Sequence, residues 1–272
     1  MFSFLDRLSK GTGLFVSPYD KRDYKFSDLV PVEAVNIPSE YSTPNIPDFR
    51  YDQGSTSMCC SCAYNMIRFM QEQDKDQSKI PVKFSVVFNY GNRIDGEETM
   101  EGMYLRSCLK KGLEGSIPFE MLPGYFSTRK CVDLVNKNKD MYLELAHPFR
   151  INSYYQCTSR TQIQQAIIET KAVLAGIYVY DSFYKPDKDG NVNYSPFKNF
   201  KNHGGHAVVI FGWKTDSKGK LWWHVINSWG NEYGINGTCW VPENNPFVES
   251  PWAIVDDVTE TKWNEYKLKM LK

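Results

Sequence analysis

A cysteine, a histidine and an asparagine stand in settings that suit thiol chemistry. Cys59 opens a segment with helical periodicity, and the partial positive charge of a helix N-terminus lowers the pKa of a thiol. His206 begins an apolar run after two glycines, which allow a substrate backbone to approach closely. Asn227 ends a second apolar run. We expect these residues to act as nucleophile, base and the group that orients the imidazole.

Apolar periodicity places Cys59 at the start of a helix. From Cys59 to Gln71, apolar residues follow the i, i+3, i+4, i+7 spacing of a helix with one buried face, at Ala63, Met66, Ile67 and Met70. At about 100° per residue, Cys59 projects close to this stripe, whereas Cys62 falls at its edge. The spacing therefore predicts a helix over 59–71 with Cys59 on its buried side.

Two strand-like runs carry the histidine and the asparagine. The runs 206–213 and 221–227 are separated by the polar turn 215–219, so we expect them to pair as a hairpin. Because Asn227 ends the second run, the hairpin brings it beside His206. Trp229 would then cover the hydrogen bond between the two side chains and keep water away from it.

The remaining elements divide the chain into a helical half and a strand-rich half. Helical patterns cover 84–93 and 161–171, and a third covers 101–111, where Gly112 would end the helix. Further strand-like runs cover 172–180, 237–241 and 252–255. Helices followed by strands predict an α+β fold with two lobes that meet at a cleft.

Composition excludes several classes of protein. The chain has 272 residues, 42% of them hydrophobic, and 32 basic side chains balance 32 acidic ones. This neutrality argues against nucleic acid as the main partner. No apolar run approaches the roughly 18 residues of a membrane span, and no signal peptide is evident. We expect a cytoplasmic or otherwise intracellular protein without membrane contact. Seven cysteines leave at least one thiol free within the chain.

Three separated blocks resemble the papain-like, cathepsin-type cysteine peptidases of the C1 family. They are Asp52-Gln-Gly-Ser-Thr-Ser-Met-Cys59, Gly204-Gly-His-Ala-Val-Val-Ile-Phe-Gly-Trp213 and Asn227-Ser-Trp-Gly-Asn-Glu-Tyr-Gly-Ile-Asn-Gly237. His206 lies 147 residues after Cys59, near the spacing typical of this family. The resemblance covers about residues 45 to 242 and implies a helical N-terminal lobe and an antiparallel β-rich C-terminal lobe, with the active-site cleft between them.

The resemblance implies a role for each site residue. Cys59 would be the nucleophile, His206 the general base and acid, and Asn227 the orienting residue. Gln53 would supply its amide to the oxyanion hole. Gly205 would hold the substrate backbone through its carbonyl, and Trp229 would shield the site. The implied activity is endopeptidase cleavage of a peptide or protein substrate through an acyl-enzyme, without a cofactor or metal.

The first block departs from the family pattern and leaves a second register open. Papain has Cys-Gly-Ser-Cys-Trp, and a superficial match to Cys59-Cys-Ser-Cys62 would make Cys62 the nucleophile. That register places Cys62 nine residues after Gln53 and would require an insertion in the oxyanion loop. Cys59 lies six residues after Gln53 and on the predicted buried side of the helix, so we favour Cys59 as the nucleophile. The half-cystine of the family's oxyanion loop is replaced by Thr56.

The resemblance also suggests domain boundaries and an origin. Residues 1–50 hold five of the fourteen prolines and show no sustained helical period, which predicts an extended segment over 1–45 that could pass over the cleft. The peptidase domain would span 46–258, with lobes of about 46–150 and 151–258, and 259–272 would form a tail. Because the residues before Gln53 lack a long helical pattern, we expect no helical prosegment like that of lysosomal relatives. The divergent first block looks bacterial or viral, and a viral chain would act in the virion or host cell.

Three other functions fit parts of the sequence. The fold could serve as a binding or structural module with weak or absent catalysis, because the cysteine cluster at the helix start is unusual. The same groups could also catalyse transpeptidation or hydrolysis of cell-wall peptides. A zinc site from the Cys59 and Cys62 pair with His203 and His206 is disfavoured, since the pairs lie more than 140 residues apart.

Overall fold

A computed structural model describes residues 10–29, 36–75, 82–194 and 202–256. Seven α-helices are found in this part of the chain. They are α1 (Cys59–Lys75), α2 (Val86–Gly91), α3 (Leu105–Gly112), α4 (Thr128–Asn136), α5 (Lys139–Ala146), α6 (Arg160–Thr170) and α7 (Asp181–Tyr184). Five of the seven come before residue 150, so most of the helices lie in the N-terminal part of the chain.

Nine strands form one sheet in the described residues. They are β1 (Leu14–Phe15), β2 (Glu40–Ser42), β3 (Met103–Tyr104), β4 (Ser153–Gln156), β5 (Val173–Tyr180), β6 (Asn202–Thr215), β7 (Leu221–Ile226), β8 (Thr238–Pro242) and β9 (Phe247–Val255). The main path runs β3-β1-β6-β5-β9-β4, while β2 and β7 also pair with β6, and β8 pairs with β7. Every pairing is antiparallel except β1 with β3. This architecture confirms the predicted α+β fold.

The helix α1 lies at the centre of the molecule and contacts α2, α3, β5 and β6. Residues 58–68 are all buried, so the prediction of a single buried face is wrong for the first turns. Polar groups on this helix bond to other parts of the chain, as Ser61 Oγ does to the carbonyl of Val86 at 2.7 Å. Arg68 pairs with Asp256 at 2.5 Å. A helix covered on every side needs such partners, since an unpaired buried polar group is costly.

The predicted β-hairpin is present and positions the ends of its two strands. Strands β6 and β7 pair antiparallel, with Val209 opposite Ile226 and Thr215 opposite Leu221. β6 is longer than predicted because residues 202–205 continue to pair with β5 and with β1. The hairpin leaves Asn227 directly after β7, near the start of β6.

Some elements differ from the sequence prediction. The helix expected over 101–111 begins at Leu105, because Met103 and Tyr104 form β3 instead. Helices α4 and α5 and strands β1 to β4 carry short or irregular apolar patterns and were not predicted. No helix within the described residues is both long and apolar enough to cross a membrane. The expected tail 259–272 lies outside the described residues, and the domain boundaries stay a prediction.

His224 is half-buried between two aromatic rings of the sheet and makes the folding stability depend on pH. Its ring lies between Phe211 and Trp240, with ring centroids 4.1 and 4.0 Å away, and Nδ1 lies 3.1 Å from Ser42 Oγ. Burial, with the nearby charges of Lys214 and Arg50, lowers the pKa of His224 to about 4. Below about pH 6.5 the unfolded chain binds a proton at His224, whereas the folded chain binds it only near pH 4. Acidification between these values therefore favours the unfolded state.

We expect acidification from pH 6.5 to 4 to remove about 3 kcal/mol of folding free energy through His224. Urea unfolding of the wild-type chain and of His224→Phe at pH 7 and pH 4.5 measures this difference, because all other titrating groups are shared. An equal loss in both proteins would show that His224 does not carry the effect.

Candidate active site

The structure brings Cys59, His206 and Asn227 together. Cys59 is the first residue of α1, His206 lies on β6, and Asn227 follows β7. His206 Nε2 lies 2.7 Å from Asn227 Oδ1. The other ring nitrogen, Nδ1, is buried without a nitrogen or oxygen partner among the described residues. With Nε2 directed at the amide, Nδ1 is the nitrogen available to the Cys59 thiol.

Aromatic rings enclose the histidine. Trp229 lies against His206 with centroids 5.0 Å apart, and Phe183 contacts the same ring edge-on at 5.9 Å. Tyr184 stacks on the outer side of Trp229 at 5.1 Å. Aromatic rings packed around a histidine in this way limit the access of water to its hydrogen bond with Asn227.

The surroundings of Cys59 favour its thiolate. Burial alone would raise the pKa of the thiol. Hydrogen bonds with Cys60 and His206, the charge of His206 and the backbone N–H of Ala207 outweigh this effect and hold the pKa of Cys59 well below its usual range. A buried thiol with a lowered pKa is equipped for nucleophilic attack.

The two neighbouring thiols have the opposite character. Burial raises the pKa of Cys60 and of Cys62 well above the usual range, and the charge on Cys59 raises them further. Cys60 Sγ donates to the carbonyl of Met103 at 3.3 Å and so ties α1 to β3. All seven cysteines are free and buried. Of the two candidate nucleophiles, only Cys59 has both the imidazole and the lowered pKa.

Gln53 bonds to Ser228, the residue after Asn227, and is almost completely buried, with 1% exposure. Its Oε1 accepts a bond from Ser228 Oγ at 2.6 Å, and its backbone N–H donates to the Ser228 carbonyl at 2.9 Å. Its Nε2 donates to the carbonyls of Thr56 at 2.6 Å and of Gly11 at 3.2 Å. Ser228 therefore fixes the amide so that its N–H groups point toward a peptide carbonyl.

Residues 10–17 cross the site and are named the strap here. Gly11 N donates to the carbonyl of Gly54 at 2.8 Å, and Gly13 N donates to that of Gly205 at 3.3 Å. Met103 N donates to the carbonyl of Gly13 at 2.8 Å. The strap thus adds β1 between β3 and β6 and passes over Gln53 and Gly205.

The strap runs in the direction opposite to that of a cleavable substrate. The carbonyl of Gly11 accepts from Gln53 Nε2 and from Trp229 Nε1, the latter at 3.3 Å, whereas the N–H that reaches Gly205 belongs to Gly13. In a substrate bound for cleavage, one residue donates its N–H to Gly205 and places its carbonyl at Gln53, so the N–H comes before the carbonyl along the chain. Here the carbonyl comes first, so the strap occupies the site without presenting a bond for attack.

The strap is fitted to the site by glycines and by one leucine. A Cβ on Gly11 or Gly13 would lie only 2.0 or 2.4 Å from the backbone oxygen of Thr56 or Ser57. The side chain of Leu14 packs against Gly176. A Cβ at position 176 would lie only 2.3 Å from the Leu14 side chain, so the glycine leaves room for it. Under this cover Cys59 and His206 have no exposed surface, so the site is closed.

The structure therefore brings all six predicted residues to one place: Cys59, His206, Asn227, Gln53, Gly205 and Trp229. His203 lies outside this group, since its Nε2 bonds to Asp181 at 2.7 Å. The role of Ser228 and the partners of the strap were not predicted, although residues 1–45 were expected to form an extended segment that could pass over the cleft. The pair of glycines at 11 and 13 was a signal of close backbone contact, but the sequence does not say with what.

Comparison with known proteins identifies the family of this site. The family model described as papain family cysteine protease matches residues 102–250. The chain belongs to this family. The matched stretch contains His206 and Asn227 but begins after Cys59 and Gln53, so those two residues rest on the geometry above.

Individual relatives match over limited stretches. Cathepsin B-like cysteine proteinase 4 of Caenorhabditis elegans is 34% identical over 113 residues, which cover 41% of this chain and 32% of that protein. An uncharacterised peptidase C1-like protein of Acanthamoeba polyphaga mimivirus is 30% identical over 109 residues, 38% of this chain and 34% of that protein. The matches thus span about a third of these curated relatives.

Solved structures match over nearly the whole chain. Xylellain, a cysteine protease from Xylella fastidiosa, superposes with a TM-score of 0.77 at 22% identity, over 92% of this chain and 97% of that one. Procathepsin B S9 from Trypanosoma congolense superposes with a TM-score of 0.68 at 15% identity, over 94% and 89%. These superpositions confirm the papain-like fold predicted from the three sequence blocks.

Proposed function

We propose that the chain is a cysteine endopeptidase with Cys59 as nucleophile. The observation that supports this function best is the Cys59 thiol, whose pKa is lowered beside a His206 ring that is itself bonded to Asn227. The buried amide of Gln53 supports it further, because it already binds a peptide carbonyl, that of Gly11. Membership of the papain family agrees with this chemistry.

In the proposed acylation step, the Cys59 thiolate attacks the carbonyl carbon of the scissile bond. The carbonyl oxygen becomes an oxyanion, which Gln53 Nε2 stabilises because its donors are fixed before the reaction begins. The C–N bond then breaks, and His206 gives its proton to the leaving amine. The acyl group stays on Cys59 as a thioester.

In the proposed deacylation step, His206 takes a proton from water, and the resulting hydroxide attacks the thioester carbon. The C–S bond breaks, the carboxylic product leaves, and Cys59 returns to the thiolate beside a protonated His206. Asn227 keeps the ring oriented through both steps. The carbonyl of Gly205, which accepts from Gly13 N in the strap, would accept from a backbone N–H of the substrate.

The strap makes this conformation a resting state. A substrate needs the Gln53 amide and the Gly205 carbonyl, and the strap occupies both. The strap must therefore leave before peptide binds. Several structural neighbours, including procathepsin B S9, are proenzymes by name, which agrees with a closed form of the peptidase.

Active-site titration tests the proposed function. A thiol-directed epoxide is added at neutral pH, the adduct is mapped by mass spectrometry, and hydrolysis of a mixed library of quenched peptides is followed in parallel. We expect one adduct per chain, on Cys59, and loss of hydrolysis as the adduct forms. A Cys62→Ser variant serves as control and should label to the same extent. An adduct on Cys62, or hydrolysis that survives full labelling of Cys59, would overturn the assignment.

A second candidate function is a binding module without catalysis. The complete burial of Cys59 and His206 favours it, because a site that never opens cannot turn over. The two functions differ in the titration: a chain that neither labels nor hydrolyses any peptide, even with the strap displaced, is the module.

A further inference from the structure

The subsite on the leaving-group side of the cleft contains a carboxylate that the strap already uses. Lys10 Nζ lies 3.1 Å from Asp52 Oδ1 and 3.3 Å from the carbonyl of Trp229. Lys10 directly precedes Gly11, whose carbonyl meets Gln53. A cationic side chain therefore lies next to the carbonyl that occupies the oxyanion site.

The polarity of the strap shows which side of the scissile bond this is. Gly13 and Leu14 lie toward Gly205, where a substrate's acyl part binds through its N–H. Lys10 lies on the other side of Gln53. In a productively bound peptide that side holds the first residues after the scissile bond, because the acyl residues occupy the Gly205 side.

Asp52 is held in place and remains accessible. Its Oδ1 accepts from Gly54 N at 3.1 Å, and its backbone pairs with Trp229 as an isolated antiparallel bridge. Its side chain is 53% exposed. When the strap leaves, the carboxylate and the Trp229 carbonyl lose their cationic partner together. Two fixed acceptors at the mouth of a cleft suit an ammonium or guanidinium group.

We propose that Asp52 selects substrates with lysine or arginine at the first or second position after the scissile bond. This inference rests on the proposed peptidase function and specifies its substrate class. In the closed form, Lys10 of the strap takes the place of that lysine or arginine side chain, although the strap runs in the opposite direction to a substrate. The preference is modest, since an exposed ion pair contributes little, and we expect about a three- to fivefold difference in kcat/KM.

Matched peptides test the preference in the full-length chain. Quenched peptides carry lysine or its neutral analogue norleucine at each of the two positions and are otherwise identical. The strap is displaced by Gly13→Val, whose Cβ would overlap Ser57, with Gly11→Val as an alternative if the first variant folds poorly. We expect the parent to cleave the lysine peptide with a three- to fivefold higher kcat/KM than the norleucine peptide. Asp52→Asn should cleave the two peptides with equal kcat/KM, and Asp52→Lys should prefer the norleucine peptide.

The control and a second measurement separate the possible failures. Asp140→Asn removes one exposed carboxylate from α5, and it should keep the parent preference at the same net charge as Asp52→Asn. Hydrolysis of both peptides at equal rates by the parent would overturn the selectivity and leave the peptidase function intact. If neither peptide is hydrolysed, the peptidase function fails. Calorimetry of both peptides with a Cys59→Ala chain then decides whether Asp52 discriminates between them in binding, and equal affinities would overturn the selectivity as well.

Discussion

Replacement of His206 by alanine is expected to lower kcat/KM for peptide hydrolysis by about three orders of magnitude. The variant loses the proton donor to the leaving amine. It also loses the charge and the hydrogen bond that lower the pKa of Cys59. Burial, which raises that pKa, is then opposed only by the hydrogen bonds with Cys60 and the backbone of Ala207, so the pKa rises and the thiolate fraction at neutral pH falls. Initial rates with a fluorogenic peptide measure the loss of activity.

The pH dependence of Cys59 alkylation separates the two contributions of His206. In the wild-type chain the thiolate is present at neutral pH and is lost only when the pH falls below a lowered pKa. In His206→Ala the alkylation rate should rise at a higher pH than in the wild type, because two of the contributions that lower the pKa of the thiol are gone. His147→Ala is the matched control, because His147 is exposed just after the end of α5, and its profile should match the wild type. An unchanged profile in His206→Ala would contradict the assigned role.

The parts of the site that could be predicted are those that short stretches of sequence encode. Cys59 was placed by the apolar spacing of its helix, and Asn227 by the polar turn between two strand-like runs. Gln53 was assigned through the resemblance of its block, six residues before Cys59, to the papain-like peptidases. In each case the signal lies within a few residues of the group that it positions, or in a hairpin whose strands are neighbours in sequence.

The parts that could not be predicted depend on contacts between distant segments. Strand β1 is two residues long and pairs with Met103 and Gly205, about ninety and a hundred and ninety residues further along the chain. No periodicity in the strap reports those partners. The burial of α1 on all sides likewise follows from the strap, the sheet and the other helices together. Asp52 had no distinguishing signal, because its partner Lys10 belongs to the strap.

Displacement of the strap is expected to raise kcat/KM by about ten- to a hundredfold. The strap makes several backbone hydrogen bonds and buries Leu14 to 6% exposure. Once the entropy lost on ordering the strap is subtracted, we expect the closed state to be more stable than the open state by about 2–3 kcal/mol. On the order of 1% of molecules are then open. Gly13→Val sets a Cβ within 2.4 Å of the Ser57 carbonyl oxygen. The strap must then shift, and the open fraction rises toward one.

Hydrolysis and alkylation of Cys59 should accelerate together in Gly13→Val, since both require the same opening. Tyr19→Val is the matched control: Tyr19 follows the strap in sequence and is 92% exposed, so neither rate should change. If Gly13→Val keeps its near-ultraviolet circular dichroism and both rates stay at the wild-type level, the strap does not control access. Faster alkylation without faster hydrolysis would place the strap over the thiol but not over the substrate groove. Because the reversed strap offers no bond for attack, acceleration should occur with the N-terminal segment intact, as intact-mass measurement can verify.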